Sequence, residues 1–481
     1  MRLIHRQFLW AQLACLLLIA GAAILMPGAG FFVTLPSVII LWFIVEAAYR
    51  LTPYTNAAGH YTLLIVTTLL SLGVIANVHM YTSPDGASDS FPLLINDDLR
   101  KYFLGALHII GDPRGVPIEP IHFGYPYIIA AIWSVTGVSI FFPIIINAAL
   151  LLLSIILTGI IAARIIGDAT PRSSAWIATA AMIVISAVAY LLATGILLLK
   201  EAGTVFAITA AILPFTRATL IKVSTPRSFI FRVAAFLLPL ILLMLLRFNY
   251  IVIIALGIVI LTPWSRKSIR SQLSSFNSVA LLLCILAWAT MHIILANAAI
   301  DLNHIVVNSI KGGALAGAYF YDNPQHAAHN AMVAHYFEFP IWKRLLYLPF
   351  SAATQFLIPF PWAFERNLPE GYTFVYARFA FPWYLIGGTI IYFLATSLRR
   401  IPQRMLRLTI FAVIAWLTPA YLTAGTVSRY ALCFLPLLVP LAVYTVATVG
   451  RTRAFRIYLC IFSIMIIGLL IACYHIQQAP L

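Results

Sequence analysis

Apolar runs long enough to cross a lipid bilayer recur from one end of this chain of 481 residues to the other. A hydrocarbon core of about 30 Å takes roughly 20 residues of helix. No water reaches the backbone there, so each spanning segment must close its own hydrogen bonds as a helix. The runs fall near residues 8–26, 31–48, 61–82, 139–164, 175–194, 202–216, 229–246, 248–263, 277–297, 379–397, 408–424, 430–448 and 455–474. Only 9% of residues are charged and mean hydropathy is +0.98, whereas about a quarter of an ordinary soluble chain is charged. The expectation is an all-α, polytopic membrane bundle of about thirteen transmembrane helices, with interfacial helices in its outer loops. The two shortest runs, 202–216 and 248–263, carry the least weight.

Charge placement sets the orientation. With the N-terminus cytoplasmic, the inner loops hold Arg2, Arg6, Arg50, Arg164, Arg172, Arg217, Lys222, Arg227, Arg232, Arg266, Lys267, Arg270, Arg399, Arg400, Arg404, Arg407, Arg451, Arg453 and Arg456. These are 19 of the 30 basic residues, while Glu46 and Asp168 are the inner carboxylates among 14 acidic residues. Short cytoplasmic loops rich in Lys and Arg are what the positive-inside rule requires. The net charge of +16 is thereby explained by topology, and nucleic-acid binding is excluded as a reading. The run after Arg2, His5 and Arg6 exceeds the h-region of a cleaved signal and reads as an anchor. Cys15, Cys284, Cys433, Cys460 and Cys473 all lie in apolar segments and read as small core hydrophobes. No Asn-x-Ser/Thr sequon occurs, which favours a bacterial inner membrane over the endoplasmic reticulum.

Scarce charges in odd places are the functional signal. Asp97 and Asp98 stand side by side after the third apolar run. Adjacent carboxylates raise each other's pKa and suit chemistry or an ion; the plainer role is capping an interfacial helix. Lys200 and Glu201, Arg247, and Arg429 sit where apolar runs meet, on the same outer side. Charges near a membrane tend to be paired or to face a wet cavity. Against that stand snorkelling of each Arg and a mutual Lys200–Glu201 ion pair. Several cations beside a carboxylate fit a phosphorylated substrate, with the carboxylate as base or metal holder. The outer segment 298–378 adds His326, His329, His335 and Glu338; the His326/His329 spacing places two ligands on one helix face, with Glu338 as a third, although surface histidines show the same pattern.

The stretch from Asp98 through Tyr102 to Ala106 resembles the first outer loop of GT-C membrane glycosyltransferases, the superfamily of protein O-mannosyltransferases and aminoarabinose transferases. The resemblance continues through His122-Phe123-Gly124-Tyr125-Pro126-Tyr127, Ile132-Trp133, Gly137 and Ala163 to Gly167. It takes in Leu198-Leu199-Lys200-Glu201, the runs split at Arg247, and Ser428 to Leu432, and covers roughly residues 61–448. It implies a GT-C-like fold and transfer of a sugar from a polyprenyl-phosphate donor to a lipid, glycan or protein acceptor on the outer face of the membrane. Asp98, with Asp97 beside it, would deprotonate the acceptor hydroxyl or hold a divalent metal (Mg, Mn or Zn). Arg247, Lys200 and Arg429, with Glu201, would bind the donor phosphate, and Tyr102, His122 and Tyr125 would serve the acceptor or a lid. Three apolar runs precede the acidic loop instead of one, and no soluble domain follows residue 474. The expected organisation is therefore an N-terminal helical hairpin (1–60), a GT-C-like core (61–297) that includes the outer loop 83–138, an outer loop with interfacial helices (298–378), and C-terminal transmembrane helices (379–481). Other readings of the outer arginines are an O-antigen-type polymerase or ligase and a lipid-linked sugar flippase. A flippase would carry internal repeats and mid-span charges, and neither stands out.

Overall fold

The computed structural model describes residues 2–25, 31–82, 97–117, 124–170, 172–216, 226–262, 276–297, 339–357, 381–396, 401–423 and 431–478. The described residues are all-helical: α1 Arg2–Leu25, α2 Phe31–Arg50, α3 Ala57–Thr82, α4 Asp97–Ile109, α5 Gly124–Thr136, α6 Phe141–Ile166, α7 Ser174–Ser186, α8 Ala189–Gly195, α9 Glu201–Ile212, α10 Pro226–Arg247, α11 Tyr250–Leu261, α12 Phe276–Asn297, α13 Ile341–Leu357, α14 Phe381–Thr396, α15 Gln403–Thr423, α16 Leu435–Val449 and α17 Arg453–Gln478. A helix lies on each of the thirteen apolar runs. Among the described residues, five helices are long and apolar enough to cross a membrane: Gln7–Leu25, Ala57–Val78, Phe141–Ile166, Arg227–Arg247 and Phe276–Ile294. Exposed large side chains along these helices are apolar, among them Leu13, Leu17, Phe231, Leu238, Leu282 and Ile293. An outer surface of that kind calls for lipid, not water, as solvent.

Helix α6 is the axis. It packs on α2, α3, α7, α8, α9 and α16, and Leu151, Leu152, Ile155 and Ile161 on it are fully buried. Its hydroxyls are returned to its own backbone: Ser154 Oγ donates to Leu150 O at 2.7 Å and Thr158 Oγ1 to Ser154 O at 2.7 Å. Close approach to α7 depends on Gly159, where a Cβ would stand 2.9 Å from Ala178 O. Small residues at such crossings let backbones meet where hydrophobicity alone gives no drive.

The run near 175–194 is not one helix. Val188 takes an extended conformation (φ −83°, ψ 93°) and separates α7 from α8. One end of the bundle is tied by Asn56, between α2 and α3. Its Nδ2 donates to Ala175 O at 2.9 Å, and its Oδ1 accepts from Gly59 N at 2.7 Å and Thr179 Oγ1 at 2.9 Å. Close by, Glu46 on α2 bridges Arg50 at 2.7 Å and His60 at 3.0 Å.

Helix α13 reverses the usual amphipathic pattern. Ile341, Trp342, Leu345, Leu346 and Phe350 are exposed, whereas Arg344, Ser351 and Gln355 are buried. At one end of this stripe Gln355 Nε2 donates to Trp416 O of α15 at 3.2 Å, and at the other Arg344 Nε donates to Phe339 O at 2.8 Å. A polar stripe inward and an apolar face outward suit the membrane interface expected for this segment. Among the cysteines, Cys284 and Cys433 are buried, but Cys460 is exposed on α17, so the core reading fails there.

Candidate functional site

The site lies at the opposite end of the bundle from Asn56. Helices α3 and α6 run for 26 residues each, about 39 Å. Three helices beside them are much shorter: α9 and α11 with 12 residues and α16 with 15, about 18 to 23 Å. The start of α9 lies below the end of α6, and the starts of α11 and α16 are tied to it through the Arg247–Tyr250 and Tyr250–Phe434 contacts. The depth can be read from Asn147, six positions into α6 from Phe141, or about 9 Å down. Asn147 hydrogen-bonds the turn that precedes α9. This explains the shortness of the 202–216 run: the chain turns back before it reaches the end of the bundle.

That turn, residues 196–200, is the apex of the α8/α9 hairpin. Leu197, Leu198 and Leu199 are at most 2% exposed, so its carbonyls have no water and need protein donors. Asn77 Nδ2 on α3 supplies Ile196 O at 2.7 Å. Asn147 Nδ2 supplies Leu197 O at 2.8 Å and Leu199 O at 2.9 Å, and reaches the Tyr125 hydroxyl at 2.8 Å. At the apex, Lys200 and Glu201 are buried, 7% and 1% exposed.

Glu201 reaches across to a second helix. Its Oε1 accepts from Arg247 Nη2 at 2.6 Å, across from α9 to the end of α10. Arg247 also lies over the Tyr250 ring at 5.7 Å, and Tyr250 packs on Phe434 at 5.0 Å. Lys200 Nζ sits 5.5 Å from the centre of the Tyr102 ring, a cation–π distance. The α9–α10 approach is close because Gly203 faces Leu246, whose Cδ1 would stand 2.7 Å from an added Cβ.

Helices α4 and α5 cover this floor. Tyr102 and Tyr125 meet edge to face at 5.2 Å and are both buried, forming the underside of the α4–α5 pair. Gly124 seats α5 on α10: a Cβ there would collide with Leu245 O. Phe103 packs on Trp133, whose Nε1 donates to Ser139 O. Helix α4 ends at Gly111 (φ 79°), a left-handed residue suited to glycine. Just beyond, the exposed Arg114 guanidinium hydrogen-bonds Asp112 and holds its carboxyl down at about 2.

Asp97 and Asp98 form the first turn of α4, where the helix dipole favours carboxylates. Asp98 stands four positions before Tyr102 on α4. The sequence-selected Lys200, Glu201, Arg247, Tyr102 and Tyr125 are thus brought together, with Asp97 and Asp98 on the helix that roofs them. Arg429, His122, His326, His329 and Glu338 lie outside the described residues; the chain re-enters the described core at buried Ala431, two positions after Arg429. No group of three potential metal ligands occurs among the described residues. Sequence reasoning missed Asn77, Asn147, Tyr250 and Phe434. An amide inside an otherwise apolar run was the available signal for the first two.

Among the described residues, the fold and the site define an all-helical protein with helices long and apolar enough to cross a membrane and a buried, charged floor at one end. Comparison with protein-family models, curated proteins and solved structures gives no match.

Proposed function

We propose that this chain is a membrane glycosyltransferase that moves a sugar from a polyprenyl-phosphate donor to an acceptor hydroxyl. The observation that carries the reading is the convergence of Lys200, Glu201 and Arg247 on a recessed floor beneath the helix that begins Asp97-Asp98. Two cations and one carboxylate leave the floor with a positive excess, which suits one phosphate diester. A floor below the rim also keeps water from a glycosyl phosphate until the acceptor is seated.

In this reading the acceptor oxygen attacks C1 of the sugar and the C1–O bond to the phosphate breaks with inversion. Asp98 takes the acceptor proton or holds a divalent metal beside it, and Asp97 is its neighbour. Lys200 and Arg247, joined by Arg429, stabilise the departing polyprenyl phosphate. Taking all thirteen apolar runs as spans in a GT-C-like bundle, with the N-terminus cytoplasmic, puts this end on the outer face of a bacterial inner membrane. Helix α13 then lies in that face, and the histidine-containing segment before it is the candidate second metal site.

A lipid-linked sugar flippase is the second reading, favoured by the hairpin that turns back inside the bundle with buried charges. The charges cluster at one end of the bundle, which supports the transferase. The deciding assay is transfer in membranes from a panel of radiolabelled polyprenyl-phosphate sugars. The wild type transfers label to an endogenous acceptor, and Asp98→Asn falls by about a hundredfold or more. Full activity of both Asp98→Asn and Asp97→Asn at normal expression overturns the assignment, and label crossing the membrane without transfer selects the flippase.

A further inference from the structure

We propose that Asn147, assisted by Asn77, is the positioning residue of the site: it holds the buried 196–200 turn in the one conformation that presents Lys200 and Glu201 to the floor. The inference rests on the proposed function only in its ligand-binding arm.

A turn on the surface of a protein satisfies its carbonyls with water. This one has none, since residues 197–199 are fully enclosed and about 9 Å below the start of α6. Three of its carbonyls, those of Ile196, Leu197 and Leu199, accept from side-chain amides contributed by two other helices. Asparagine fits because its amide carries two protons on a short stem. Asn147 Nδ2 faces three oxygens, Leu197 O, Leu199 O and the Tyr125 hydroxyl. Two protons cannot serve three acceptors with straight bonds, so one is shared, and the amide is locked where the three oxygens converge.

The same atom therefore joins three parts of the site. Through Leu199 O it fixes the residue immediately before Lys200. Through Tyr125 it reaches α5, and Tyr125 contacts Tyr102, over which Lys200 lies. Lys200 O in turn accepts from Thr204 N at 3.0 Å and Thr204 Oγ1 at 2.9 Å, which starts α9 and sets Glu201 toward Arg247. Asn77 is the second tie, one residue before the stretch held by Asn147. Neither amide carries a charge, and both lie within the apolar helices α3 and α6.

The test uses the full-length chain in detergent micelles. Hydrogen–deuterium exchange of the peptide covering 196–204 is compared for wild type, Asn147→Leu, Asn147→Asp and Asn77→Leu. Asn277→Leu, a buried amide at the other end of the bundle bonded to Thr262 at 3.0 Å, is the control. Asn147→Leu raises exchange there at least about tenfold, with peptides of α16 unchanged. Asn147→Asp, with the same shape and at most one proton to donate, gives a smaller rise; Asn277→Leu gives none. In parallel, binding of polyprenyl monophosphate weakens about tenfold or more in Asn147→Leu and less in Asn147→Asp, at unchanged protein recovery. If Asn147→Leu does not fold, Asn147→Asp and Asn77→Leu decide by the same readouts. Exchange at 196–204 within about twofold of wild type, or an equal rise in the Asn277→Leu control, overturns the proposal. Raised exchange with no phosphate binding even by wild type keeps the positioning role and removes the polyprenyl-phosphate reading.

Discussion

Replacing Glu201 by Gln removes the carboxylate from a pair whose side chains are 2% and 11% exposed and whose atoms stand 2.6 Å apart. At that distance and an effective dielectric of 20 the gross attraction is about 6 kcal/mol. Burying the two ions costs several kcal/mol each, so the pair as a whole contributes little net stability. Losing one partner is different, because the desolvation of the survivor is then uncompensated. Glu201→Gln and Arg247→Met are each expected to cost about 3 to 5 kcal/mol. The double variant should cost far less than the sum, leaving a coupling energy of at least about 2 kcal/mol. The measurement is a double-mutant cycle on unfolding free energy, from SDS titration in mixed micelles. Affinity for polyprenyl monophosphate separates scaffold from binding role: Glu201→Gln leaves the Arg247 charge unopposed and tightens binding, whereas Arg247→Met weakens it. Single costs below about 1 kcal/mol, summing within about 0.5 kcal/mol in the double variant, would refute the reasoning.

Gly124→Ala forces a Cβ against Leu245 O, so α5 must lift from α10. An overpacking cost of about 1 to 3 kcal/mol or more is expected in the same titration, together with reduced transfer activity. At the far end, Asn56→Ala strands Ala175 O and removes the acceptor of Gly59 N and Thr179 Oγ1. It should cost about 2 to 4 kcal/mol while specific activity of the folded fraction stays at the wild-type level; a matching loss of activity would contradict the separation of the two ends. The Asp112 carboxyl is held below its unfolded value by Arg114, so the contribution of this exposed clamp is complete above the unfolded pKa and is lost as pH falls through about 2. NMR titration of the Asp112 carboxyl checks this, and an unshifted midpoint that is the same in Arg114→Gln would contradict it.

The helices were legible because uninterrupted apolar runs admit no other backbone arrangement in lipid. Lys200, Glu201 and Arg247 were legible for the complementary reason, since charge is scarce where it is expensive. What the sequence did not reveal is who pairs with whom. Lys200-Glu201 reads equally as a neighbouring pair, and only the antiparallel packing of α9 on α10 carries Glu201 to Arg247. The interruption at Val188 was hidden because Val188 is apolar like the residues around it, so hydropathy runs on without a break. Asn77 and Asn147 were passed over because one amide barely changes the hydropathy of a 26-residue helix; their weight comes from the hairpin apex, a contact between residues 50 or more positions apart.

Helix α13 has a consequence for how the chain is made. Its buried stripe of Arg344, Ser351 and Gln355 packs through Gln355 on α15, which is synthesised later. Until α15 is in place, α13 has an exposed apolar face suited to lipid and a polar stripe, with the single charge of Arg344, that is not. Docking of α13 is therefore expected to follow the synthesis of α15, which protease protection of chains truncated before and after α15 would check. The covering of this face of the bundle is the step at which a C-terminal truncation would stall assembly.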